Sequence, residues 1–222
     1  MVQSTSNTAA VETDAVLEGT DEGEVPSPKR DAIIAAATRV FLANGYGAAS
    51  MDAIAAEAGV AKQTVYSHFG SKEALFEAIV SCKCEDLMRP ALDADAVTGG
   101  PGEVLTATAR AFLETVLAPD NTTLYRMLIG ESTRFPALAE AFYRVGPRHA
   151  ADGLADYLAE VDRRGGLRVP EPTRSAELFF AMLRGDLYMR RLLDLESRAS
   201  AAEIEDTVDR AVAAFLAGHA LD

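Results

Sequence analysis

A short segment of the chain carries polar side chains at the spacing of one helix face. They are Lys62, Gln63, Tyr66 and Ser67. Lysine and glutamine side chains suit the edges of guanine and adenine in the major groove of DNA. Thr64, Tyr66 and His68 add donors that suit phosphate oxygens, although a histidine in such a place is often only a structural or solvated residue. The pattern predicts a helix that reads DNA.

Two short helices are expected to position these side chains. Ser50 is a good N-cap for the first, and Gly59 ends it. The second covers about Lys62 to Phe69, with Val65 and Phe69 on the face that packs inward. Their expected partners are Ile54, Ala58 and Val60. Two helices joined at a glycine predict a helix-turn-helix over about Met51 to Phe69, although such hairpins also occur as purely structural elements.

Cations stand at the starts of three predicted helices. Lys29, Lys62 and Lys72 each occupy a first turn, where the helix dipole disfavours positive charge. Free N–H groups beside a cation suit a phosphate, so these positions indicate an anionic partner. The alternative is that they are solvated surface lysines.

The charge distribution supports a local positive surface on an acidic protein. The net charge is −13, yet all four lysines, Lys29, Lys62, Lys72 and Lys83, lie between residues 29 and 83. Residues 1–28 hold six acidic residues and no basic one, and we interpret them as a disordered acidic tail. A negative total therefore does not exclude DNA as a partner.

Helix-forming residues dominate the 222-residue chain after Arg30, which predicts an all-α fold. Residues 29–76 are expected to form the DNA-binding domain, and residues 77–222 a helical ligand-binding and dimerisation domain. The turn-rich stretch Asp93–Gly102 separates two groups of helices. The remaining helices are expected at about Lys29–Asn44, Ser71–Arg89 before Pro90, Glu103–Ala118, Asn121–Arg134, Ala137–Arg163 with a kink at Gly146-Pro147, Pro172–Leu193 and Ala201–Ala217.

Catalysis finds little support in the motifs. The chain has no G-x-S-x-G, no phosphate-binding glycine loop and no H-E-x-x-H, so no catalytic residue and no metal site are expected. Cys82 and Cys84 point apart on one helix, which suggests one buried and one exposed thiol. His149, Asp152 and Asp156 share a helix face that a polar surface also explains.

Targeting signals are equally sparse. No apolar run has membrane-spanning length, and residues 1–25 lack the pattern of a secretory signal. Two cysteines suggest a reduced, cytoplasmic setting. A helical interaction protein that binds no DNA is the other alternative, which the lysines at the helix starts disfavour.

The segment Phe41–Phe76 resembles the DNA-binding domain of the TetR/AcrR family of repressors. It contains F-x-x-x-G-Y, I-A-x-x-A-G-V, K-x-T-x-Y-x-H-F and S-K-E-x-L. The resemblance implies that Lys62, Gln63 and Ser67 face bases. It further implies phosphate contacts from Tyr46, Thr64, Tyr66, His68 and Lys72. Lys29 and Ser50 complete the expected DNA-binding set. Ala61 replaces the usual serine cap of the recognition helix, so that cap is expected to be lost.

The later motifs ESTRFP, AFYRVGP, GGLRVPEP and AMLRGDL resemble the C-terminal domain of the family's AefR-like branch. This resemblance implies a cavity for a small, lipophilic effector, and no cofactor. The candidate pocket residues are Arg110, Phe112, Tyr125, Arg126, Phe135, Phe142, Phe179 and Met182. The apolar ones are equally explained as core, and the arginines as solvated or paired with Glu114 and Glu131.

The family resemblance also implies a homodimer built on the last two long helices. The candidate interface residues are Leu178, Met182, Gly185, Tyr188, Met189 and Leu192 on one helix and Ile204, Val208, Val212 and Phe215 on the other. A two-fold dimer predicts a palindromic operator of double-stranded DNA, with recognition helices roughly 34–36 Å apart. The expected function is a ligand-responsive repressor that an effector releases from its operator.

Overall fold

The computed structural model describes residues 27–92, 100–195 and 199–221, with residues 85–92 given as helical backbone. These ranges form α1 (Pro28–Ala48), α2 (Met51–Ala58), α3 (Lys62–Phe69), α4 (Lys72–Leu92), α5 (Pro101–Leu117), α6 (Pro119–Glu131), α7 (Pro136–Tyr143), α8 (His149–Arg163), α9 (Pro172–Leu192) and α10 (Ala201–Gly218). The all-α prediction is confirmed. The predicted acidic tail, up to residue 26, and residues 93–99 of the turn-rich stretch lie outside the described residues.

Local signals set the geometry of the first three helices. The helical backbone of α1 is interrupted at Gly45, whose φ of 76° favours glycine. The Ser50 hydroxyl accepts a hydrogen bond from the Ala53 amide, which caps α2, and Gly59 ends α2 in the left-handed region. At the start of α3, Ala61 supplies no side-chain cap, as expected. The predicted helix-turn-helix is confirmed at both of its helices.

Three later elements differ from simple helices. A π-helical segment, Arg144–Arg148, joins α7 to α8 at the predicted Gly146-Pro147 kink, where Pro147 has no amide hydrogen to donate. The bounds of α4 pass Pro90 and reach Leu92, so the predicted stop at Pro90 is wrong. Within α9, Gly185 leaves the helical region with a φ of 30° and divides the helix.

The described helices bury two apolar clusters. One combines α1–α4 with Leu124 and Leu128 of α6 and Leu138 of α7. The other lies among α5, α8, α9 and α10 around Phe179 and Phe215. The predicted boundary between the two domains, at residues 76–77, falls inside the unbroken helix α4. Because α6 also packs on α1, the regions before and after this boundary share buried side chains. Among the described residues, no helix has the length and hydropathy required to cross a bilayer.

Candidate nucleic-acid interface and cavity

The outer face of α3 presents the polar side chains that the sequence predicted. Lys62, Gln63, Ser67 and His68 are exposed, Tyr66 is 40% exposed, and Thr64 is half-buried. Val65 and Phe69 are buried in the cluster that contains Ile54, with Ala58 and Val60 packed against it. The predicted division of α3 into an apolar inner face and a polar outer face is confirmed.

Few internal contacts restrain this outer face. The Lys62 ammonium forms an exposed ion pair with Asp52 at 2.7 Å, and that hydrogen bond raises the pKa of Lys62. An exposed pair of this kind is worth little in water, so exchange for a nucleic-acid anion is easy. The Ser67 hydroxyl donates to the Thr64 carbonyl oxygen at 2.9 Å. Of the other predicted DNA contacts, Lys29 is exposed, and Ser50 uses its oxygen to cap α2 but keeps its hydroxyl proton to donate.

Tyr46 does not lie on this surface. Its side chain is 1% exposed, and its hydroxyl donates to Glu73 at 2.9 Å. Burial, followed by the contact with Glu73, raises the pKa of the phenol well above its usual value. The ring stacks on Phe41 at 5.5 Å between centroids. The predicted phosphate contact of Tyr46 is therefore wrong, because burial in the core removes its hydroxyl from the reach of DNA.

Lys72 fastens the turn between α1 and α2. Its ammonium donates to the carbonyl oxygens of Tyr46 at 2.8 Å and Ala49 at 3.0 Å. It also lies 4.4 Å from the centroid of the Tyr46 ring. An ammonium has three donors, so one stays available for a phosphate, and that predicted contact stays a prediction.

Glu131, at the end of α6, holds the same turn from the other side. Its carboxylate accepts a hydrogen bond from the Gly47 amide at 3.1 Å. Phe135 packs edge-on against the Tyr46 ring, with centroids 5.3 Å apart. A Cβ built on Gly47 would meet a Glu131 oxygen at 3.0 Å and the Phe135 ring at 3.3 Å, so glycine permits this approach. Sequence reasoning missed this contact because it joins residues 84 positions apart.

A cavity opens between α4, α5, α6, α7, α8 and α9 and the π-helical segment Arg144–Arg148. Its wall consists of Val80, Lys83, Cys84, Phe112, Thr115, Val116, Asn121, Leu124, Tyr125, Phe142, Gly146, Pro147, Ala150, Phe180, Arg184 and Tyr188. Three of the predicted pocket residues therefore line this cavity: Phe112, Tyr125 and Phe142. Cys84 is buried and Cys82 is exposed, as their spacing suggested.

Five predicted pocket residues lie elsewhere. Arg110 pairs with Glu205 at 2.6 Å, because a carboxylate of α10 lies within its reach. Arg126 donates to the carbonyl oxygen of Arg191 at 3.3 Å. Of the other three, Phe135 packs against Tyr46, Phe179 is buried in the cluster among α5, α8, α9 and α10, and Met182 is exposed on α9.

The sequence missed most of the polar groups of the cavity. None of Lys83, Thr115, Asn121 and Arg184 was predicted to line the pocket, since nothing in their local spacing distinguishes inward from outward polar side chains. Tyr188 was assigned to the dimer interface, yet it lines the cavity beside Tyr125, with ring centroids 6.1 Å apart. Burial raises the pKa of Tyr188, and the neighbouring Tyr125 adds to that rise.

The predicted dimer residues fall into two groups. On α9, Leu178, Met182 and Met189 are exposed, Gly185 is exposed at the helix break, and Leu192 is half-buried. On α10, Val208, Val212 and Phe215 are buried in the core of their own chain, with Ile204 packed against it. The α10 stripe is therefore not available as a contact surface, because α5 and α9 already cover it.

The geometry thus defines a class of protein. An exposed polar helix that follows a short helix and a left-handed glycine is the arrangement with which helix-turn-helix proteins enter the major groove. A second helical region with an apolar cavity accompanies it. Together they are typical of DNA-binding regulators.

Comparison with known proteins gives the family. Residues 33–79 match the DNA-binding domain of bacterial regulatory proteins of the tetR family. Residues 103–220 match the C-terminal domain of AefR-like transcriptional repressors. The chain belongs to the TetR family, and it is a transcriptional regulator of that family.

Individual relatives agree with this assignment. A TetR-family regulator from Mesorhizobium loti is 30% identical, with a TM-score of 0.74 over 87% of this chain and 97% of that one. The flavonoid-responsive regulator FrrA is 36% identical, with a TM-score of 0.67 over 86% and 97%. The transcriptional activator FasR of Mycolicibacterium smegmatis is 35% identical over 131 residues, 59% of each chain. The match thus spans about three fifths of the length of that curated relative.

The contact between Glu131 and Gly47 can be tested by a double-mutant cycle. Glu131→Ala removes the acceptor of the Gly47 amide and should lower the free energy of unfolding by about 1–2 kcal/mol. Gly47→Ala places a methyl group 3.0 Å from the same carboxylate and should displace it. Both changes remove the same contact, so their effects should not add. Urea denaturation should show the double variant to be destabilised by less than the sum of the two single variants, by about 0.5 kcal/mol or more.

Gly130→Ala is the matched control for this cycle. It lies one residue before Glu131 on α6, and a Cβ there meets nothing within 4 Å. Replacing a helical glycine should leave stability unchanged or raise it slightly. Strict additivity of Glu131→Ala and Gly47→Ala would contradict the coupling between these two residues.

Proposed function

We propose that this TetR-family regulator is a homodimeric repressor that binds a palindromic operator and leaves it when a small, largely apolar effector enters the cavity. The observation that carries the proposal is that α4 and α6 line the cavity and also hold the DNA-reading helices. An occupant of the cavity would therefore push on the elements that place α3.

Base reading is assigned to the outer face of α3. Lys62, Gln63 and Ser67 project from the helix, and Thr64, Tyr66 and His68 flank them with phosphate donors. Lys29, Ser50 and Lys72 supply further donors at three helix starts. These positions suit a DNA backbone on either side of the groove. We assign residues 29–76 to the DNA-binding domain and residues 77–222 to effector binding and dimerisation.

Dimerisation is assigned to the outer face of α9. Leu178, Met182 and Met189 form an exposed apolar row, and Leu193 at the helix end extends it. Apolar surface of this kind on a folded chain marks an interaction site. In the proposed dimer, the apolar rows of two protomers pack together about a two-fold axis. The two recognition helices of the dimer would then lie about one DNA turn apart.

Release is assigned to movement of α4 and α6. Val80 and Lys83 of α4, and Leu124 and Tyr125 of α6, line the cavity. Farther along these helices, Lys72 and Glu131 hold the turn before α2. An effector needs to favour the non-binding arrangement by only a few kcal/mol to empty the operator. The relative FrrA is flavonoid-responsive, which supports a small-molecule effector.

Activation is the second candidate. The relative FasR is a transcriptional activator, whereas the matched C-terminal domain is that of AefR-like repressors. Transcription in vitro from the DNA upstream of the gene that encodes this protein distinguishes a repressor from an activator. A repressor lowers transcript yield when it is added, and an activator raises it.

The assignment of base reading is tested with Gln63→Ala. If Gln63 makes a bidentate contact with adenine, its loss should weaken operator binding by about 1–3 kcal/mol and relax the preference at one base pair. Binding to random DNA should hardly change. Gel shifts of both DNAs across a range of salt concentrations measure the two affinities.

Lys29→Ala serves as the comparison variant for Gln63→Ala. Lys29 is exposed and is expected to contact only phosphate, so its removal should weaken binding to operator and to random DNA equally. It should also reduce the dependence of the binding constant on salt concentration. Equal losses on both DNAs for Gln63→Ala would remove it from the base-reading set. A failure of the unaltered protein to distinguish its upstream DNA from random DNA would contradict operator recognition.

The dimer assignment is tested with Met182→Glu. A carboxylate at the centre of the α9 row should raise the dimer dissociation constant by roughly thirtyfold or more. Sedimentation velocity over a concentration series measures this constant. Ile129→Glu is the matched control, since Ile129 is similarly exposed but lies on α6. A Met182→Glu protein that stays dimeric at every concentration would contradict the assignment.

A further inference from the structure

The wall of the cavity is mainly apolar and contains five aromatic rings. Phe112 and Phe180 lie 4.9 Å apart between ring centroids, and Tyr125 lies 5.5 Å from Phe142 and 6.1 Å from Tyr188. The empty space between the walls is about 830 Å³, its opening to solvent included. The walls therefore suit a flat or extended apolar body.

Two cations interrupt this apolar wall. Lys83 and Arg184 both line the cavity and are half-buried. The guanidinium carbon of Arg184 lies 5.5 Å from the centroid of the Phe112 ring. Among the residues whose side chains the structure describes, no carboxylate lines the cavity, and neither cation forms an ion pair or a hydrogen bond. The described part of the cavity wall therefore carries positive charge that no described carboxylate balances.

Arg184 differs in this respect from other arginines of α5–α10. The pairs are Arg110 with Glu205, Arg148 with Asp152, Arg163 and Arg164 with Glu160, Arg174 with Glu177, Arg190 with Asp186 and Glu203, and Arg210 with Asp206. Acidic residues outnumber lysine and arginine by 34 to 21, so partners are abundant. A half-buried guanidinium without one loses hydration that an aromatic ring only partly replaces.

A buried acceptor on the same wall also lacks a partner. The Asn121 side chain donates through Nδ2 to the Thr115 carbonyl oxygen at 2.6 Å. Its Oδ1 atom is buried, with no hydrogen-bond partner in the described part of the chain. Buried acceptors in proteins are nearly always satisfied, by protein, water or ligand. The cavity therefore offers an acceptor for a ligand donor as well as cations for a ligand anion.

We propose that the cavity binds an amphipathic acid, whose carboxylate pairs with Arg184 while its apolar body lies against the five rings. This inference names the effector class for the function proposed above and rests on that proposal. Arginine is suited to the role because its planar fork binds a carboxylate through two hydrogen bonds. Lys83 adds positive charge on the same wall, and a hydroxyl or amide of the ligand would satisfy Asn121 Oδ1.

Isothermal titration calorimetry with acid and amide pairs tests the class directly. The probes are 2-naphthoate with 2-naphthamide for an aromatic body, and decanoate with decanamide for an aliphatic one. At least one acid should bind roughly tenfold more tightly than its amide, since charged hydrogen bonds are worth at least that much. The preferred pair tells whether the body is aromatic or aliphatic.

Variants of α9 locate the charge that matters. Arg184→Gln should weaken acid binding roughly tenfold and leave amide binding unchanged, and Arg184→Lys should restore part of the loss. Arg174→Gln is the matched control, because Arg174 lies on the same helix and pairs with Glu177. The melting temperature of Arg184→Gln should not fall, because the substitution removes an uncompensated cation. A fall together with equal loss of acid and amide binding would show a merely structural role.

Three results would overturn the proposed ligand class. They are equal binding of acids and amides, equal weakening of both by Arg184→Gln, and no binding of either acid at about 1 mM, the weak end of specific affinities. Adding the acids to the operator complex separates this inference from the proposed function. Acid binding without operator release contradicts only the release mechanism, whereas release by a neutral compound that binds better than the acids contradicts only the ligand class.

Discussion

The turn between α1 and α2 is held by charged groups from two other helices, and the position of the recognition helix depends on it. Lys72 of α4 donates to two carbonyl oxygens of the turn, and Glu131 of α6 accepts from the Gly47 amide. Between them lies the buried Tyr46 ring, in contact with Phe41 and Phe135. Since charged hydrogen bonds are stronger than neutral ones, this turn does not move easily relative to α4 and α6. It therefore follows α4 and α6 when they move.

Different parts of α4 and α6 contact the turn between α1 and α2 and line the cavity. Toward the DNA-reading helices, these helices carry the groups that grip the turn. Farther along, Lys83 and Tyr125 line the cavity. A helix is stiff along its axis, so an occupant that displaces one part of α4 or α6 displaces the other part. The apolar cluster shared by α1–α4 and α6 makes that transmission a packing effect, because close-packed side chains cannot be compressed.

Local chemistry made the DNA-reading unit predictable. Ser50 caps α2, Gly59 ends it, and the polar and apolar residues of α3 separate by helical spacing, so each of these features was visible in a few neighbouring residues. The cavity was less predictable, because helical spacing does not tell which neighbour a side chain meets. Phe135 and Phe142 look equivalent in sequence, yet one packs on Tyr46 and the other lines the cavity. Likewise, Arg110 pairs with Glu205, whereas Arg184 lines the cavity, where none of the described side chains is a carboxylate.

The most direct test of the account is the distance between the two recognition units in the free and ligand-bound dimer. A nitroxide label at an introduced cysteine in place of the exposed Ala56 of α2, with Cys82 and Cys84 replaced, allows double electron–electron resonance to measure it. With the acid that binds the cavity, the distance distribution should shift by several ångströms from the one seen on operator DNA. A distribution that stays the same when the cavity is saturated, while the operator is released, would contradict coupling through α4 and α6.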